Sequence, residues 1–223
     1  MPPALPPLPT ILTPTLLSSI RTHPQLPQHS WYFIAGVTLS VINRPDEIPN
    51  VFNHALENDT INALFALKTA TPPHLLDEPM AYSPSARPAE VSSVPTSQIL
   101  HRGQRFFDKV YGKVSKRVMG QMDRSGTEDL GVTARLMYGY LLSNTNILTP
   151  AESSFVLLAG LIPQDVNPQL KGHLKGALNN GATVDEVKAV RDVVIRICEA
   201  SGMTRLGNGV AQGWGWRGDV ANL

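Results

Sequence analysis

Two helix-start signatures, Thr149-Pro150-Ala151-Glu152 and Thr183-Val184-Asp185-Glu186, frame the C-terminal half of the chain. In each, a threonine side chain can accept from the backbone three residues on, while the glutamate reaches back to the threonine amide. Such capping boxes are compatible with little besides helices. The first opens "TPAESSFVLLAGLI" with Pro150 at the first helical position, where a missing N–H costs nothing. The second opens "VKAVRDVVIRICEASG", which places Val187, Val190, Val194 and Ile197 on one face and ends at Gly202. Between them lies "QLKGHLKGALNNG", with Asn167 as cap, Pro168 as opener, a stripe of Leu170, Leu174, Ala177 and Leu178, and Gly181 as terminator.

The upstream chain follows the same grammar. "GTEDLGVTARLMYGYLLSNTN" reads as one amphipathic helix and "SQILHRGQRFFDKVYGKVSKRV" as one or two shorter ones. In the N-terminal third, "HSWYFIAGVTLSVIN", "RPDEIPNVFNHALEND" and "TINALFALKTA" repeat the three-helix layout. Sliding Ser30–Asn58 over Glu152–Asn180 without a gap gives about five identities, among them Phe33 over Phe155 and Ala55-Leu56 over Ala177-Leu178. No alternating strand pattern stands out. The expectation is an all-α bundle built by internal duplication of a three-helix unit. Its parts are a Pro-rich N-terminus (1–10), an N-terminal helical repeat (11–69), a Pro/Ser-rich linker (70–97), a C-terminal domain (98–210) and a tail (211–223) whose Trp214 and Trp216 offer exposed aromatic surface or a clasp on a neighbouring subunit.

Composition narrows the function. A net charge of +1 with no block of like charges argues against a nucleic-acid groove or a polybasic membrane tether. No apolar run approaches the ~18 residues needed to span a bilayer. Cys198 is the only cysteine, which excludes an intrachain disulfide and any Cys-x-x-Cys pair. The final residues Ala221-Asn222-Leu223 loosely resemble a peroxisomal address that ends Ser-Lys-Leu, without its basic middle residue. Peroxisomal location is therefore expected, with the cytoplasm as the alternative.

"GQRFFDKVYG", "AESSFVLLAGLI" and "HLKGALNNGATVDEVKAV" together resemble the carboxymuconolactone decarboxylase and AhpD-like superfamily, over roughly residues 100–203. "HSWYFIAGVTLSVINRPDEIPNVFNHAL" is similar to helices of fungal cysteine-free members. The resemblance implies an AhpD-like bundle with a functional histidine at His173 and a glutamate at Glu152 on the preceding helix. AhpD-type peroxidases carry cysteines seven and four residues before that histidine, where this chain has Val166 and Gln169. Thiol–disulfide exchange needs an attacking thiolate and a resolving thiol, so peroxidase chemistry is excluded. What remains is the decarboxylase-like branch, which implies no metal and no organic cofactor, a small anionic organic acid as ligand and a homo-oligomer, dimer or trimer. The arginine-rich approach to the glutamate seen in the family is replaced by "ILTPAE".

Each candidate has a second reading. His173 falls about 60° from Leu170 and about 40° from Ala177 around the helix, on the apolar side. It is either the acid–base group or a core histidine. Glu152 either orients His173 or serves only as the capping glutamate. Arg135 either offers a cation to the ligand or faces solvent, and Tyr138 and Tyr140 either line the cleft or belong to the core. His54 sits one turn beyond the position matching His173 in the first repeat, which disfavours a second equivalent site.

Overall fold

The computed structural model describes residues 8–58, 87–206 and 214–216. The "TINALFALKTA" segment, most of the 70–97 region and the C-terminal tripeptide lie outside them. The described chain is helical, as the periodicity requires. It runs α1 (Pro14–Arg21), α2 (Trp31–Val41), a 3₁₀ turn (Pro45–Glu47), α3 (Ile48–Asn58), α4 (Arg87–Ser93), α5 (Thr96–Tyr111), a second 3₁₀ turn (Gly112–Val114), α6 (Ser115–Asp123), α7 (Asp129–Leu136), a π-helical turn (Met137–Leu142), α8 (Pro150–Leu161), α9 (Asn167–Asn179) and α10 (Val184–Ala200).

Both capping boxes form, with Thr149 and Thr183 each bonded reciprocally to the third helical residue. Gly181 and Gly202 have φ of 103° and 94°, the left-handed conformation expected just past a helix end. Helix α9 starts one residue earlier than its sequence suggests. Val166 takes the cap position, and the Asn167 side-chain Nδ2 instead donates to the Asp165 carboxylate (2.9 Å). Two helices were not legible in the chain's composition. Helix α1 grows out of the Pro-rich N-terminus, capped by Thr13, whose hydroxyl accepts from the Leu16 amide (3.2 Å). Helix α4 lies inside the segment expected to be an irregular linker.

Helix α2 is buried almost all round, from Trp31 to Leu39, which identifies it as the central helix. It packs on α3, α8 and α10. The large core therefore joins α1–α3 to α8–α10, with Phe33, Val51, Phe155, Leu158, Leu174, Val190 and Ile197 inside it. A second, smaller core of Phe107, Val110, Met119 and Tyr138 sits among α5, α6 and the π turn.

Polar residues fasten the periphery. Glu47, 2% exposed, accepts from the Ile11 amide (2.7 Å), Arg44 (3.0 Å) and Asn50 (2.9 Å), while Arg44 donates to the Pro9 carbonyl (2.9 Å). The approach to α1 is thereby tied to the start of α3. Contrary to the absence of strand patterning, Thr204–Arg205 (β1) and Gly215–Trp216 (β2) pair in parallel. A side chain at Gly215 would collide with the Thr204 carbonyl, so this pairing requires glycine. Trp216, 2% exposed, donates its indole N–H to the Ile162 carbonyl (2.8 Å). It clasps its own core, not a neighbouring subunit, while Trp214 stays about half exposed at 47%.

Candidate functional site

His173 lies at the seam between the two cores. Helix α9 turns Leu170, Leu174 and Ala177 into the large core, and helix α5 turns Phe107 and Val110 into the small one. The two helices meet closely because α9 carries glycine on either side of the histidine. A Cβ at Gly176 would sit 2.7 Å from the Val110 side chain, and one at Gly172 would touch the Tyr111 ring at 3.5 Å. The spacing "KGHLKG" thus brings α5 against α9 and sets His173 beside the last residue of α5. Asn179 strengthens the seam by donating to the Val110 carbonyl (2.9 Å).

Across it, the Tyr111 hydroxyl and Nε2 of His173 are 3.4 Å apart, with the rings edge to face at 5.9 Å. Tyr138, 7% exposed, donates its hydroxyl to that of Tyr111 (3.4 Å). Phe107 packs against both phenols, 4.4 Å from the Tyr111 ring and 4.8 Å from the Tyr138 ring. These polar contacts are long, near the limit of hydrogen-bond distance. Burial pushes the His173 imidazole below its ordinary range, so it is neutral at neutral pH. Burial, reinforced by Tyr111, raises the Tyr138 phenol well above its ordinary range, so it keeps its proton.

Tyr138 owes its position to the π turn. The Ser143 amide donates to the Tyr138 carbonyl (3.0 Å), a five-residue step that widens the helix. The Gly139 carbonyl takes side-chain donors, the Ser143 hydroxyl (2.7 Å) and Arg102 (3.1 Å). Arg102 is itself held by both oxygens of Glu90 (2.8 and 2.7 Å). Gly103 and Gly139 let α5 approach this turn closely, since a Cβ at Gly103 would meet the Gly139 nitrogen at 2.5 Å.

The other expected site residues lie elsewhere. Glu152 accepts from the Thr149 amide (2.8 Å), so its carboxylate serves the capping box, and it has no hydrogen bond to His173. Arg135 is paired through both guanidinium nitrogens with Asp123 (2.6 and 2.8 Å), and this ion pair raises its pKa further. It is not a cation waiting for a ligand. Tyr140 is half-buried and takes no part in the His173 chain. His54 packs edge to face on Trp31 at 5.8 Å. Val166 caps α9 and Gln169 is exposed. The Cys198 thiol is fully buried and pushed up to about 12 by that burial, which keeps it protonated and unreactive. Among the described residues, no three His, Cys, Asp or Glu side chains are grouped to hold a metal ion. A cleft of about 460 Å³ lined by Thr10, Asn43, Asp46, Glu47 and Asn50 does not include His173.

Tyr111 is the residue that sequence reasoning passed over. It stands inside "GQRFFDKVYG", one residue before the glycine that ends α5, where a polar-tipped aromatic can leave its helix for a neighbour.

The described residues form a helical protein with a neutral histidine backed by two phenols. Two curated proteins are similar to it. Peroxisomal protein 2 of Schizosaccharomyces pombe is 34% identical over 195 residues, spanning 77% of this chain and 87% of that protein. Peroxisomal protein 2 of Saccharomyces cerevisiae is 28% identical, spanning 85% of this chain and 94% of its own length. The chain belongs to the Peroxisomal protein 2 family, and it is peroxisomal. No family model matches it, and no solved structure does. No helix among the described residues is long and apolar enough to cross a membrane.

Proposed function

We propose that the protein is a cofactor-independent enzyme of the carboxymuconolactone decarboxylase-like kind, in which His173 exchanges a proton with a small organic acid. The supporting observation is the chain from Tyr138 to Tyr111 to His173, a neutral imidazole held at the seam of two helical cores. Loss of carbon dioxide leaves negative charge on carbon, and His173 can relay the proton that quenches it, giving up one ring proton while its other nitrogen takes one from Tyr111, which solvent then reprotonates. Glu152 and Arg135 do not enter this reading as orienter and anchor, because the capping amide and Asp123 already engage them. The order of α2 with α3 and of α8 with α9 also suits the duplicated AhpD-like unit implied by the sequence resemblance. The test is a panel of small cyclic and unsaturated acids, followed by carbon dioxide release and loss of ultraviolet absorbance. His173→Gln should lower any turnover by about 10²–10⁴-fold. Full turnover in that variant removes His173 from the chemistry.

A second reading is a non-catalytic oligomeric binding or scaffold protein. It is favoured by the exposed apolar face of α7 and the π turn, where Leu130, Val132, Leu136, Met137 and Leu141 are 40–51% exposed.

A further inference from the structure

We infer that Tyr111, backed by Tyr138, is the positioning residue of the proposed site: it fixes His173 in the tautomer with the proton on Nδ1, so that Nδ1–H is the group offered to a bound molecule. This deepens the acid–base reading and rests on it. The polarity of the chain follows from counting protons. Tyr138 is buried, and its hydroxyl proton has the Tyr111 oxygen as its acceptor. With that oxygen accepting, the Tyr111 proton has Nε2 of His173 in reach. Nε2 can accept only when it carries no proton, which in a neutral ring puts the proton on Nδ1. The Tyr111 oxygen could instead accept from both Tyr138 and Nε2–H, but the Tyr111 proton would then have no acceptor among the described residues. The opposite polarity would have Nε2–H donate to Tyr111 and Tyr111 to Tyr138. The buried Tyr138 proton would then have no acceptor among the described residues, the costlier arrangement.

On the other side of the ring, Nδ1 has no hydrogen-bond partner among the described residues, and His173 is half-buried. The packing that enforces the arrangement is backbone-close. Gly172 and Gly176 admit α5, and Phe107 packs against both phenol rings. A ring that presents an N–H donor, with Arg135 engaged elsewhere, suits an uncharged acceptor such as a carbonyl or lactone oxygen.

The experiment is a two-bond ¹H–¹⁵N correlation of the histidine-labelled protein at neutral pH, with His173 assigned by the signal absent from His173→Gln. The Nδ1–H pattern is expected for His173 in the unaltered protein, with loss of that pattern in Tyr111→Phe and a weakening in Tyr138→Phe. An Nε2–H pattern in the unaltered protein overturns the inference even if neither variant folds. So does an unchanged Nδ1–H pattern in a folded Tyr111→Phe. The spectrum needs no turnover, so an Nδ1–H ring in a protein that converts nothing supports Tyr111 as the positioning residue and counts only against the enzymatic reading.

Discussion

Glu152 and Tyr111 show how a single side chain is assigned work. Glu152 has a backbone amide three residues away, and the capping box satisfies both the amide and the carboxylate within one turn. His173 cannot compete with a partner so close in sequence. Replacing Glu152 by alanine should therefore lower stability by roughly 0.3–1.5 kcal/mol, the range for one capping feature, as read by urea unfolding. The pH titration of His173 followed by NMR should stay where it is. A displaced titration would mean that the carboxylate acts on the histidine after all. Tyr111 has the opposite situation. Its helix ends at the next residue, so its hydroxyl has no local partner to prefer and bonds instead across a 62-residue separation in sequence.

At the scale of elements, contacts between helices are decided by glycines, and not all of them matter equally. Gly103 of α5 faces the backbone of Gly139, which cannot move out of the way. Gly103→Ala should cost about 1–3 kcal/mol, as overpacking does, and lower the melting temperature accordingly. Gly160 of α8 has only the Val37 side chain at 3.9 Å, an ordinary contact. Gly160→Ala should be neutral or stabilising by up to about 1 kcal/mol, because alanine is the better helix former. Equal losses from the two would show that α5 does not approach the π turn as closely as described. The same elements mark what the sequence could reveal. Helices α8 and α10 were legible because their capping boxes act over three residues. The short helices α1 and α4 were hidden by proline-rich surroundings, even though Thr13 and Pro14 make an ordinary helix start. The π turn left no compositional trace, since it depends on Arg102 and Ser143 meeting the Gly139 carbonyl. His173 was legible as a candidate by its position. Its partner was not, because periodicity gives the face of a helix but not its register against another.

The molecule as a whole is two apolar cores joined along α5 and α9, with an apolar strip left uncovered on α7 and the π turn. An exposed apolar strip of this kind is usually an interface. Sedimentation velocity should show an assembly larger than a monomer, and Leu136→Glu together with Leu141→Glu should dissociate it while circular dichroism stays unchanged. A monomer before substitution would leave the strip without that role. The position of His173 has a thermodynamic meaning of its own. Its helix is anchored in one core and its hydrogen-bonded partners in the other, so any small molecule seated there grips both at once. Such a guest behaves as a rivet: it stabilises the native state through mass action and couples the melting of one core to that of the other. For this fold, occupancy would be felt as cooperativity across the chain, far from the few atoms that touch the guest.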